Sequence, residues 1–507
     1  MNLRNLIVPF ILAVATTWAI QYFFFGKKDG TQQYQFAAPQ SAVECLPLKK
    51  DVDFALPPKL SAATITPIQT SWAHLEFTTD GATLNRFEFK RSIDGKTQLI
   101  GTIFPQEREE RINRAFLVAL PQATPFAYKF EGIKDEGSTI ALRYAVSSDQ
   151  AIIYKTFIVY KKICQIDLKI DVEPLTGAAT NIRLFYPAPI MPELKEQEQI
   201  AADIMYGTDT FKKIYRDSLS PETYWVNPLL FGVENKYFIH SLITDKNSFV
   251  QRAYYTLAGK DGLVAILEGP QVTQPTSWTM SFYVGPKESS AIKLVDERLE
   301  QVLDYSGIWA PISRILLTLL NWLNDYMHNY GLAIIVLTIL IKLLLAPFSW
   351  RAEQGMKDRA EMQKRLQYIQ QKYKDDPQAR AQAQAEFMRK HGLGLAGCLP
   401  LLMQVPIFFG LSRVLSSAIE LYKVPFLWMN DLSARDPYYI LPILVMLGMI
   451  SSAFTAADAK QRMPIIAMAL AFGAVSASMS AGLVLYIALS TLLNMVQGKL
   501  FKWFRLV

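Results

Sequence analysis

The chain has 507 residues, of which 51% are hydrophobic and 19% charged, with a formal net charge of +7. That is more chain than one core usually holds, too apolar for an ordinary soluble protein and too charged for one lying wholly in lipid. The balance implies a water-soluble part joined to a membrane part, in which surplus Lys and Arg mark cytoplasmic loops. No basic run carries the interleaved aromatics of a nucleic-acid surface, so no nucleic acid substrate is expected.

In chain order, the first apolar stretch is 6–25, "LIVPFILAVATTWAIQYFFF", after Arg4. A spanning helix needs roughly 20 such residues, whereas a cleaved signal peptide has a shorter apolar core and a small-residue cleavage site. Residues 1–25 therefore read as a signal anchor with a cytoplasmic N-terminus, although Lys27 and Lys28 on the far side pull weakly the other way. Residues 26–60, rich in Gln, Pro, Lys and Ala, read as a linker. From 61 to 304 the pattern turns to β: "HLEFTTDGATLNRFEFK" alternates around Asp80-Gly81, and "YKTFIVYKKICQIDLKIDVEP" alternates for most of its length up to Pro174. Alternation at period two marks half-buried strands, and no amphipathic helices separate them, which predicts a large antiparallel β domain. His74 and His240 are its only histidines, and neither lies in a motif. Both read as packing or surface residues rather than an acid–base pair, and the chain is not expected to be an enzyme. The cysteines, Cys45, Cys164 and Cys398, form no close CxxC pair, so no metal or other cofactor is expected. Cys45 and Cys164 share the soluble part and can pair if it is exported.

Helical spacing takes over at 305–327. Ile308, Ile312, Leu316, Leu319 and Leu323 recur on one face, with Ser313, Arg314, Asn321 and Asp325 off it. Such a helix lies in the membrane interface or packs on the β domain. A span follows at 328–350. The segment 351–394 is charged, with ten Lys or Arg against six Asp or Glu, and reads as a cytoplasmic helical hairpin. It breaks at "KDDPQ", where Asp376 caps and Pro377 occupies the first turn of the second helix. Four more apolar segments fall within 395–498, at about 398–418, 438–456, 464–479 and 481–498, the last two split at "SASMSAG". The basic tail 499–507 carries Lys499, Lys502 and Arg505. Six spans counted from a cytoplasmic N-terminus place these basic stretches and both termini in the cytoplasm, and the β domain outside, in agreement with the charge rule.

One residue conflicts with this apolar background. Lys342 sits inside "IIVLTILIKLLLAPF", at a cost of about 2.5–3.5 kcal/mol for a lysine at a helix centre. Its ammonium either snorkels towards the level of Arg351, about 13 Å along a helix, or faces a bundle interior or wet cavity and marks function. Thr338 lies one turn earlier on the same face. The last span carries Tyr486, Ser490, Asn494 and Gln497 in one stripe. Such a stripe is costly in lipid unless it meets water or polar groups, and hydrogen bonds between helices are the alternative use of Ser490 and Asn494. Gln404 and Arg413 add polar groups to the third span. No carboxylate lies near mid-depth to neutralise Lys342, so a wet groove there attracts an acidic peptide segment, a lipid headgroup or a small anionic solute.

"GCLPLLMQVPIFFGL", "PFLWMNDLSARDPYYILPIL" and "SAGLVLYIALSTLLNMVQ", with the span–hairpin–span order around them, resemble the YidC family of membrane protein insertases over about 305–500. The signal anchor and exported β domain look like the Gram-negative form of that family. The resemblance implies a polytopic α-helical membrane protein with six spans, five forming the insertase core, plus a large antiparallel β-supersandwich periplasmic domain related to sugar-mutarotase folds. It implies a multi-pass protein of the bacterial inner membrane that inserts substrate segments through a cytoplasm-open hydrophilic groove, without ATP. The implied partners are nascent membrane proteins, the Sec translocon, the ribosome, the signal recognition machinery and membrane lipids. Lys342 stands where the family usually has Arg; Thr338, Gln404, Tyr486, Ser490, Asn494 and Gln497 are the remaining expected groove residues. This chain departs from the family in "GLGLAGC" and in Tyr486-Ile487, where a Tyr pair is common. The rival reading is a transporter or channel for an anionic solute, which predicts internal repeats; none is visible.

Overall fold

The computed structural model describes residues 47–55, 63–93, 96–105, 108–121, 124–175, 180–191, 200–220, 222–259, 262–303, 310–374, 376–391, 399–455 and 459–503. The expected signal anchor, most of the expected linker, Cys45 and Cys398 lie outside the described residues. The chain divides into a β unit ending at Asp304 and a helical unit beginning at Tyr305.

In the β unit, a nine-stranded sheet runs in the order Thr210–Tyr215, Ala201–Tyr206, Leu230–Glu234, Phe238–Asp245, Thr276–Pro286, Gln165–Pro174, Ala151–Tyr160, Thr139–Ser147, Lys129–Asp135. A five-stranded sheet (Tyr224–Val226, Arg252–Ala258, Gly262–Val272, Thr180–Pro187, Leu117–Ala119) and a four-stranded sheet (Ile65–Gln69, Ala73–Thr78, Thr83–Ile93, Lys96–Ile103) pack against it. Aromatic pairs join the layers. Phe77 meets Phe157 with ring centroids 4.7 Å apart, and Phe231 stacks on Tyr255 at 4.3 Å; each such pair adds about 0.5–1.5 kcal/mol beyond its buried area. Apart from the short parallel pair Phe54–Ala55 with Thr124–Pro125, strand pairing is antiparallel. The result is a large β-sandwich.

The strand Ala151–Tyr160 shows how period two builds this core. Ala151, Ile153, Lys155, Phe157 and Val159 all point inward. Lys155 is fully buried, and its Nζ donates to the carbonyls of Gly81 at 3.0 Å, Phe116 at 2.5 Å and Ala82. Burial holds its ammonium well below the usual lysine range. Residues 47–55, within the expected linker, are held on the five-stranded sheet. Arg183 Nη1 donates to the carbonyls of Lys49 at 2.8 Å and Asp51 at 2.9 Å, and the Tyr254 hydroxyl donates to Lys49 at 2.7 Å. Composition marks this stretch only as a linker; arginine and tyrosine donors from the sheet use its carbonyls. The unit ends in a short helix α1 (Ser289–Lys293) and a 3-10 turn, Glu297–Val302.

The helical unit begins with α2 (Ala310–Met327). Its buried face holds Leu316, Leu317, Leu320, Leu323 and also Ser313, while Ile315, Trp322 and Tyr326 are exposed. Ser313, expected off the apolar face, is inside because its hydroxyl donates to the Gly410 carbonyl at 3.1 Å. Gly410 has no side chain to prevent that approach, since a Cβ there would lie 2.8 Å from Ile312 Cγ2. Helix α3 (Tyr330–Lys372) is capped by Asn329 and continues through Pro347. Asp376 Oδ1 accepts from the backbone N–H groups of Gln378 and Ala379, both at 3.0 Å, at the start of α4 (Pro377–His391). Then come α5 (Leu399–Ser417), α6 (Ile440–Thr455), α7 (Ala459–Ser476) and α8 (Ala481–Trp503). Among the described residues two helices are long and apolar enough to cross a bilayer, within Tyr330–Pro347 and Ala481–Leu500, and three shorter apolar ones cover Ile407–Ser417, Ile440–Ser451 and Arg462–Ser476.

Candidate functional site

The site lies where α3 packs on α8. Lys342 is half-buried on the boundary of α3's two faces: Ile341 and Leu345 are buried, whereas Leu343 and Leu344 are exposed. Its Nζ donates to Asn494 Oδ1 at 2.9 Å, its only partner among the described residues. No Asp or Glu occurs in 326–352, 399–419, 440–457 or 459–503. The ammonium is therefore met by a neutral amide; α8 carries no carboxylate, and those of α3 begin only at Glu353.

The polar stripe on α8 is graded. Tyr486 and Ser490 are buried, Asn494 is exposed and Gln497 is half-buried. Burial thus drops between Ser490 and Asn494 and partly returns at Gln497. The Nε2 of Gln497 is a buried donor without a partner among the described residues. Thr338 is brought to the same interface but is fully buried, and its hydroxyl donates to the Ile334 carbonyl of its own helix at 2.6 Å. The Gln404 side chain lies outside the described residues. Arg413 is half-buried and already partnered.

The opposite end of these helices is closed by the loop 418–439, whose role has no signature in hydropathy or spacing. The ring of Phe426 rests on Gly331 so closely that a Cβ there would come within 2.1 Å. The first backbone N–H groups of α8 donate into the loop, Ala481 to the Ala434 carbonyl at 2.6 Å and Gly482 to the Leu432 carbonyl at 2.8 Å. Asp436 organises the loop: Oδ1 accepts from Trp428 Nε1 and Tyr438 N, both at 3.1 Å, and Oδ2 accepts from Leu441 N at 2.7 Å. Helix geometry puts Lys342 about 16 Å from Gly331 and Asn494 about 18 Å from Gly482, so the cation lies well below the closed end. The polar stripe of α8, an ammonium with two further N–H donors and the loop over the N-terminal ends of α3 and α8 thus lie along one helix pair.

Two polar clusters in the β unit belong to no sequence motif. Glu234 pairs with Lys213 at 2.8 Å and Lys287 at 3.1 Å, while neither carboxylate oxygen of fully buried Asp203 accepts a hydrogen bond. Burial, and then the nearby Glu234 carboxylate, push Asp203 well above the usual carboxylate range. His240 is buried, with Nδ1 2.8 Å from the Pro187 carbonyl; burial lowers its pKa to about 4. His74 stands on the four-stranded sheet, 3.5 Å from Glu76. Cys164 is buried and makes no disulfide among the described residues.

Residues 66–319 match the family model described as YidC periplasmic domain, and residues 322–504 match that described as 60Kd inner membrane protein. The chain is 33% identical to a protein from Citrifermentans bemidjiense named membrane protein insertase YidC, over 54% of this chain and 53% of that one. A protein of the same name from Geobacter sp. is 34% identical over 52% of this chain and 50% of the relative. The chain thus spans about half the length of these two curated relatives. Another of that name, from Geotalea daltonii, is 25% identical over 97% of this chain and 98% of that one. Among solved structures, one described as an active YidC insertase with its first transmembrane domain resolved shares 17% identity over 96% of this chain and 98% of that chain, with a TM-score of 0.38.

Proposed function

The chain belongs to the YidC family, and from that premise we propose that it is a membrane protein insertase and chaperone of the bacterial inner membrane, acting through the stripe between α3 and α8. Six spans, with the β unit in the periplasm and the termini and the α3–α4 hairpin in the cytoplasm, complete the proposed topology. The supporting observation is the Lys342–Asn494 contact, a cation held by a neutral amide between two stretches free of carboxylates, 326–352 and 459–503. A polar tail crossing hydrocarbon loses its water, which is the slow part of insertion. A polar half-channel shortens the dry path, and Lys342 offsets part of the cost of an acidic tail. Burial of the substrate's apolar helix in lipid then drives the process, so no nucleotide is required. Nascent membrane proteins are the substrates; the Sec translocon, ribosome and signal recognition machinery are its proposed partners.

The test is insertion of a single-span substrate with an acidic tail into liposomes holding the purified full-length protein, without ATP. Lys342→Ala is expected to lower insertion at least tenfold, and Lys342→Arg to keep it within about twofold, since charge is retained and the guanidinium adds a planar fork. Equal insertion by all three proteins would remove the electrostatic step. Insertion that stops when ATP is withdrawn would remove the nucleotide-free mechanism.

A further inference from the structure

We infer that Asn494 is a displaceable latch on Lys342 and that Gln497 is a second donor, so that α3 and α8 together receive one substrate carboxylate at a time. The inference rests on the insertase reading and assigns specificity for acidic tails to residues beyond the cation itself.

An ammonium has three N–H donors and Lys342 uses one, on Asn494 Oδ1 at 2.9 Å. A carboxylate adds the direct attraction of two opposite unit charges, which a neutral amide oxygen lacks. A carboxylate arriving at Lys342 therefore outcompetes the amide oxygen. Displacement costs little on the other side, because Asn494 is exposed and its freed oxygen can bond water. Had the acceptor been Ser490, which is buried, release would leave an unsatisfied group.

Without cargo the latch has a positioning role. A free lysine stem reaches for the nearest polar level; the bond to α8 keeps Nζ at the stripe. Gln497 lies three residues further along α8, and its Nε2 is a buried donor with nothing to bond among the described residues. An anionic group at Lys342 gives that donor an acceptor, so an unfavourable feature of the empty site becomes a favourable one of the loaded site. A basic tail gains from neither donor.

Three substrates with one apolar segment and acidic, neutral or basic tails would be offered to the full-length protein in liposomes. Asn494→Asp places a competing carboxylate beside Lys342; it is expected to lower the ratio of acidic-tail to neutral-tail insertion at least tenfold. Asn494→Ala is expected to reduce the preference for acidic over neutral tails about threefold, and Gln497→Leu two- to fivefold. Zero-length carbodiimide coupling gives a readout independent of insertion: Asn494→Asp should yield a Lys342 cross-link to position 494, detected by mass spectrometry. No cross-link would refute the contact and the latch with it. A cross-link with unchanged tail preference would refute the latch alone. Failure of the native protein to insert any of the three would overturn the insertase reading and the latch together.

Discussion

Two lysines sit in rows of apolar residues, one in each unit. Lys155 is fully buried in the β-sandwich and Lys342 is half-buried between helices, and neither has a carboxylate partner among the described residues. They differ in how many acceptors surround them. Lys155 meets three carbonyls, one for each N–H, drawn from two separate segments. Lys342 meets one amide oxygen. A saturated ammonium is a structural joint with nothing left to offer; an unsaturated one remains a binding group. Burial alone would rank Lys155 as the more unusual residue, yet the acceptor count is what singles out Lys342 for the proposed site.

The most severe way to break this comparison is Lys155→Met, which leaves three buried carbonyls without their donor. We expect the β unit to lose about 3–5 kcal/mol, the range for removing one side of a buried charged network, while Lys342→Met changes the stability of either unit by less than about 1 kcal/mol. Chemical denaturation of the full chain, followed by hydrogen exchange on each unit, measures both. A β unit indifferent to Lys155→Met would make the acceptor count meaningless as a guide.

Acid should reveal the next largest effect. His240 titrates at about 4 in the folded unit instead of 6.5. Between those values the unfolded chain binds the extra proton, so stability is fully present above 6.5 and falls as pH drops towards 4. At about 1.36 kcal/mol per pH unit the loss approaches 3 kcal/mol. His240→Gln should flatten that limb of a stability–pH profile.

Asp203 sharpens the comparison from the other side, as a fully buried β-unit carboxyl held beside the Glu234 carboxylate. Its folded pKa is raised, so the folded state holds the proton longer. Its contribution is present below the ordinary carboxylate value and is lost as pH rises. Asp203→Asn should therefore stabilise the β unit more at pH 8 than at pH 5, by about 1–2 kcal/mol, the scale of a relieved buried polar group. The smallest effect expected is Lys342→Arg, an insertion rate within about twofold of native, because the charge is kept.

Local patterns carried most of what could be read from the sequence. Alternation announces the β-sandwich, apolar runs announce the helices, and "DLSARDPYYILP", which carries the family resemblance, contains the Asp436 that organises its loop. Lys342 and Asn494 are each legible as polar residues in apolar helices, but their pairing joins positions 152 residues apart and has no local trace. Thr338 shows the opposite limit. Helical spacing places it beside Lys342, and only the structure reveals that its hydroxyl is engaged by its own helix. Lys155 could have been found, since period two puts it on the same face as Ile153 and Phe157. Residues 47–55 could not, because the donors that hold them come from Arg183 and Tyr254, far along the chain.

The separation of 152 residues between Lys342 and its acceptor also has a consequence in time. A ribosome adding about 5–20 residues per second takes roughly 8–30 s to travel from one to the other. Throughout that interval α3 exists without α8, and the loop that will cap Ala481 and Gly482 has nothing to cap. The cation thus spends its first seconds without its Asn494 partner, and the α3–α8 contact forms only when the last helix arrives. A newly made copy therefore carries a positive charge in an apolar helix before the acceptor for that charge has been synthesised.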